Sequence, residues 1–153
     1  MVCFSSARGE YLILYSGWID GVGDHMRLFR VNATTGIQIG TTIYLDTIGL
    51  NSTTGGLDIA YSPTSNSYIA LYEAYNEGNV YSWRLDATGN PVGSRVQIDT
   101  PSQQYSRNPQ VAWNSVNNEY LVTYMGVGTG SSWDYWAQRV NPSNGALLGS
   151  NLQ

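Results

Sequence analysis

The sequence predicts an all-β fold made of three copies of one four-stranded antiparallel unit. Three observations predict it: a Tyr-x-x-x-Tyr strand that occurs three times, an Arg-containing strand after each, and a paired-glycine turn that closes each unit. The first anchors, Tyr11, Tyr68 and Tyr120, fall 57 and 52 residues apart. Arg30, Arg84 and Arg139 fall 54 and 55 apart, and Gly40, Gly93 and Gly149 fall 53 and 56 apart. Anchors in one order, three times over, mark an internal repeat of about 50 residues.

Each element follows from its local pattern. A short strand opens each unit at residues 2–5, 59–62 and 111–114. The Tyr-rich strand comes next, at residues 11–15, 68–72 and 120–124. Alternation puts its two Tyr and the residue between them (Ile13, Ala70 or Val122) on one face. The intervening residues, such as Leu12 and Leu14, face the other way and are also mostly apolar. A strand apolar on both faces has to be covered on both, as when sheets stack face to face. The third strand ends in Arg30, Arg84 or Arg139, and Thr35-Gly36, Thr88-Gly89 and Asn144-Gly145 then supply the positive φ of a tight turn. A fourth short strand follows, as over residues 95–99. No segment holds a helical period, so essentially no helix is expected.

Composition narrows the class. A chain of 153 residues is of single-domain size and can bury about 70% of its unfolded surface. Twelve Tyr and five Trp suit pleated sheets, and seventeen Gly suit many turns. Only 12% of residues are charged, about half the usual share, so Ser, Thr, Asn and Gly carry solubility. The net charge is −4 and all seven basic residues are Arg, without a basic cluster, which argues against nucleic acid and anionic membranes. Cys3 is the single cysteine, and no run is long enough for a transmembrane helix. No basic-then-apolar leader opens the chain, which reads as soluble with its compartment unknown.

Four-stranded units of this length with both faces buried are the mark of β-propeller blades. The pattern resembles bacterial propeller repeats, in which a Tyr-rich second strand precedes an aromatic-x-Gln-Arg-Val-Asn strand and a Gly-x-x-x-Gly turn. The third unit, with Tyr135, Trp136, Ala137, Gln138, Arg139, Val140 and Asn141, fits best; the other two carry Phe29 and Trp83 where that pattern has Gln. The resemblance spans the chain and implies an architecture without a particular activity; it leaves an extracellular location open. It divides the single domain 1–153 into blades at 1–56, 57–108 and 109–153, joined by linkers near 46–57 and 99–109. Three blades fall short of a ring of four to eight. The chain opens in a first strand and stops inside a last one, so a half-ring completed to six blades by a homodimer is expected. A segment of a longer propeller is the other reading, and a β-trefoil the rival fold, although the Gln-x-Trp motif of trefoil lectins is absent.

In a propeller the tight turns lie on one face and the variable loops, residues 16–24, 73–79 and 125–134, on the opposite one. Binding is expected on the variable face. Candidate ligand residues there are Trp18, Asp20, Asp24, Tyr75, Glu77, Trp133 and Asp134. An aromatic ring beside a carboxylate suits sugars, since the ring stacks on C–H faces while the carboxylate accepts hydroxyl hydrogens; the competing reading makes both Trp part of the core. Asp20 with Asp24 offers calcium two carboxylates, well short of a full oxygen shell, and no cofactor is expected. His25 is the only His and reads as a strand residue. Gly126, Gly128 and Gly130 lack the Lys-Ser/Thr and helix of a phosphate loop. Asn32 and Asn51 stand in glycosylation triplets, a common pattern. Arg30, Arg84 and Arg139, with Gly36, Gly89 and Gly145, read as structural repeat positions. The expected function is a non-catalytic glycan-binding module; a protein-interaction scaffold is the alternative. A glycosidase would need paired carboxylates, and Asp58 is the one acid expected to face inward.

Overall fold

The computed structural model describes residues 1–19, 23–45, 54–100, 105–128 and 132–153. Twelve strands form three four-stranded antiparallel sheets, and no helix occurs among the described residues. Repeat 1 holds β1 (Val2–Ser5), β2 (Glu10–Ile19), β3 (Gly23–Asn32) and β4 (Gln38–Tyr44). Repeat 2 holds β5 (Thr54–Ser62), β6 (Ser67–Ala74), β7 (Asn79–Leu85) and β8 (Val96–Gln97). Repeat 3 holds β9 (Tyr105–Asn114), β10 (Glu119–Val127), β11 (Trp133–Val140) and β12 (Leu147–Leu152). Within each sheet the strands lie in chain order.

Three strands depart from the spacing in the sequence. The second and third sheets begin at Thr54 and Tyr105, inside stretches that read as linkers. Irregular pairing hides both starts: the register of β5 shifts between Thr54 and Leu57, and that of β9 shifts opposite residues Thr123 to Met125. Asn108 stands at that second shift with φ of 52°, beside Pro109, which has no N–H for the ladder. In β8 only Val96 and Gln97 pair, rather than all of 95–99. Asp86 organises the turn before it, its Oδ1 accepting from the backbone N–H of Thr88 and of Asn90 at 2.7 and 3.0 Å.

Alternation then decides the packing. Register places Tyr68, Ala70 and Tyr72 on one face of repeat 2 with Ile59, Tyr61 and Leu85, and this face packs on Leu12, Leu14, Met26 and Leu28 of repeat 1. The opposite face carries Ala60, Ile69, Leu71 and Val80, which meet Tyr120, Val122, Tyr124 and Val140 of repeat 3. Every residue of β6 is buried in consequence. The Tyr face of one repeat thus covers the Leu face of the repeat before it, twice in the same sense.

The first strands of neighbouring repeats also meet. A Cβ on Gly56 of β5 would stand 3.0 Å from Asn108 Cα, so β5 and β9 approach closely enough that a side chain there would press on the β9 backbone. Asp58 bridges the same two strands: its Oδ2 accepts from the Val111 N–H at 2.8 Å and its Oδ1 from the Ile59 N–H at 2.9 Å. At the turn end, Asn118 accepts from Ser62 Oγ at 2.7 Å and donates to Ser65 Oγ at 3.0 Å.

The repeated arginines have one role in two forms. Arg30 Nε and Nη2 donate to Glu10 at 3.1 and 2.9 Å, and Arg139 Nε and Nη2 donate to Glu119 at 2.9 and 2.7 Å. Repeat 2 has Ser67 in place of that Glu, and there Arg84 Nε donates to the Pro142 carbonyl at 3.2 Å. Gly36, Gly89 and Gly145 have φ of 70°, 84° and 76°.

Candidate aromatic site at the loop end of repeats 2 and 3

The loops after β6 and β10 leave the sheets at one end, where β9 and β11 also begin. Three of the expected site residues, Tyr75, Trp133 and Asp134, come to this end. Tyr75 is 54% exposed and Trp133 41% exposed, so both rings stand at the surface rather than in the core.

Arg107 joins the two rings. Its guanidinium carbon lies 5.6 Å from the Tyr75 ring centre and 5.0 Å from that of Trp133, within reach of cation–π attraction. Beneath it, the buried Glu73 stands 3.8 Å from Arg107 Nε, and Glu73 Oε2 accepts from the N–H groups of Gly56 and Asn108 at 3.4 and 3.3 Å. The carboxylate therefore anchors the base of the cluster to both first strands. Tyr105 and Trp133 flank Val127 in the ladder, and Arg107 and Tyr135 flank Met125 one step further in. Tyr105 and Tyr135 are exposed as well. Of these four surface rings, Tyr75 and Trp133 lie within cation–π reach of Arg107.

Glu77 does not join this group. It accepts from Tyr81 Oη at 2.6 Å and from Arg95 at 3.0 and 3.1 Å. Partial burial would raise its pKa, but the Tyr81 hydroxyl and the Arg95 guanidinium outweigh it and hold the carboxyl below the usual range. Trp18 and Asp24 pair across the β2–β3 ladder, while their side chains, and Asp20 entirely, lie outside the described residues. The carboxylate pair considered for calcium falls there too. Among the described residues no group of three or more His, Cys, Asp or Glu could hold a metal. His25 lies buried in β3, and Gly126 is a strand residue of β10 opposite Asp134.

Two cavities accompany the site. One of about 430 Å³ is lined by Met1, by Gly56 and Leu57, and by Asn108, Pro109 and Gln110, so the leading segments of all three repeats border it. Another, of about 220 Å³, lies between repeats 2 and 3 at the turn end, beside Arg84, Tyr120 and Pro142. Among the described residues neither is lined by a carboxylate. Asp58 spends both oxygens on backbone N–H groups. Cys3 is half-buried, and burial, with the Asp58 charge adding to it, pushes its thiol up to about 11, far from a reactive thiolate.

The sequence signalled Tyr75 and Trp133 through their loops but not Arg107, Glu73, Tyr105 or Tyr135. Those four lie in strands, and only the irregularity at Asn108 and Pro109 brings Arg107 opposite Met125. Comparison with protein-family models and with curated proteins finds no match.

Proposed function

We propose that this chain is a non-catalytic carbohydrate-binding module whose ligand rests on the rings of Tyr75 and Trp133, and that its three repeats stand as blades of a propeller-type ring. The observation that carries the binding reading is the pair of exposed rings that share Arg107 as a cation–π partner. Pyranose C–H faces stack on such rings, and guanidinium N–H groups donate to sugar hydroxyls. Rings already ordered by a cation lose little freedom on binding, which favours affinity. Three features support the ring. Each sheet pairs only consecutive strands, unlike the shared barrel of a trefoil; neighbouring sheets stack in one sense; and the three leading segments border one cavity.

A glycan array followed by titration calorimetry tests the binding reading. Trp133→Ala and Tyr75→Ala should each weaken the best glycan at least about tenfold, the loss of about 1.4 kcal/mol of stacking. Tyr44→Ala, in repeat 1, should leave affinity unchanged. No glycan bound, or equal affinity in all variants, would reject a sugar ligand.

A further inference from the structure

The stacking of the three repeats leaves two faces without a neighbour, and they are the two different faces of the repeated interface. On repeat 1 the uncovered face is the Tyr face, with Val2, Phe4, Tyr11, Ile13, Tyr15 and Phe29. Tyr11 is 40% exposed there, whereas its counterparts Tyr68 and Tyr120 are 0% and 1% exposed. On repeat 3 the uncovered face is the Leu face, with Leu121, Thr123, Met125, Tyr135 and Ala137. Leu121 is 39% exposed, against 0% for Leu12 and 2% for Ile69 at the same repeat position. Contiguous apolar surface of this kind is seldom left in water.

We propose that a second copy of this chain covers both faces, with repeat 3 of each copy packed under the Tyr face of repeat 1 of the other. The occupant follows from continuity with the interfaces already built. A Tyr face lies on a Leu face twice within the chain, and the two leftovers are one of each kind, on the same molecule. The glycine turns tell the same story. A Cβ on Gly89 would stand 2.9 Å from Leu28 Cδ1 of the preceding repeat, and one on Gly145 would stand 3.5 Å from Arg84 Cβ. Gly36, the same position in repeat 1, has no such neighbour within 4 Å. Polar detail agrees: Gln110 holds the repeat position of Asp58, whose carboxylate accepts the Val111 N–H, and Val2 holds that of Val111. Gln110 Oε1 can therefore accept from Val2 N–H of the second copy.

A contact between unlike faces either closes or runs on as a fibre. Rings typically hold four to eight sheets. Two copies of these three sheets make six, which lies within that range. The inference rests on the ring reading above, and the experiment separates the two.

The test is sedimentation of the full chain at micromolar concentration, combined with cross-linking. Wild type should sediment as a discrete dimer, and Leu121→Arg as a monomer with unchanged far-ultraviolet circular dichroism. On a Cys3→Ser background, chains carrying Tyr11→Cys and chains carrying Leu121→Cys are cross-linked with a short bis-maleimide. Covalent dimers should form when the two are mixed and not in either alone. A wild-type monomer, or a continuous polymer, would overturn the second-copy proposal; small-angle scattering of that monomer would still judge the ring, since an open three-sheet wedge keeps the ring reading and a closed barrel removes it. Dimers cross-linked in unmixed samples would mean like faces meeting, and would overturn both.

Discussion

Leu12 and Leu121 occupy the same place in their repeats, yet the first is sealed between two sheets and the second lies on an uncovered one. The same contrast separates Tyr68 from Tyr11, and the Arg30–Glu10 pair, whose arginine side chain is 15% exposed, from Arg139–Glu119, whose arginine is 48% exposed. One local pattern therefore makes a strand wherever it occurs, but what that strand contributes depends on the sheet laid over it. Burial here is a property of neighbours, as in other stacked-repeat proteins.

That contrast can be broken most sharply at the leucines. In urea titrations at concentrations low enough to keep single chains, Leu12→Ala should cost about 2–5 kcal/mol through lost transfer energy and a residual cavity. Leu121→Ala should stay within about 0.5 kcal/mol. Equal losses would mean that repeat 3 is covered after all.

The glycine turns sharpen the comparison at a smaller scale. Gly36→Ala carries only the left-handed backbone penalty, about 1–2 kcal/mol. Gly89→Ala adds overlap with Leu28, so thermal melts should place it below Gly36→Ala by a further 1 kcal/mol or about that.

The smallest effect is the pH dependence of the two ion pairs. Burial would raise the Glu10 carboxyl, but Arg30 and Arg8 outweigh it and leave the pKa depressed. A depressed carboxyl contributes stability above its unfolded pKa, about 4.3, and that contribution is lost as pH falls through the lower folded value. Glu10→Gln should flatten this acid limb in melts taken below about pH 5. Arg139 lowers Glu119 in the same direction, but water screens this pair, and Glu119→Gln should change the limb less. The reverse order would place repeat 3 in the drier environment.

The fold was legible because its signals were local and repeated. Period two in the Tyr-x-x-x-Tyr strands marked two apolar faces, and Gly36, Gly89 and Gly145 marked turns by a backbone need that one residue type meets best. The starts of β5 and β9 were not legible, because shifted register and Pro109 break the alternation on which strand reading depends. The site was half legible. Tyr75 and Trp133 stood out as aromatics in variable loops, whereas Arg107 reaches them across two repeats, and no spacing in one strand encodes such a contact. Glu77 looked equally available in sequence, but Tyr81 and Arg95 are near it only once β7 and β8 have folded back.

The one-sided cover of repeat 1 also matters while the protein is being made. Leu12, Leu14 and Leu28 are complete in the nascent chain well before β6, which seals them, ends at Ala74. At about 5–20 residues per second, the interval between Leu28 and Ala74 lasts about 2–9 s. Throughout it, a finished hairpin with a greasy side travels on the ribosome without its lid. Neighbouring ribosomes on the same message would hold identical half-built sheets side by side, and a chaperone that recognises apolar β-surface would find its client in that window.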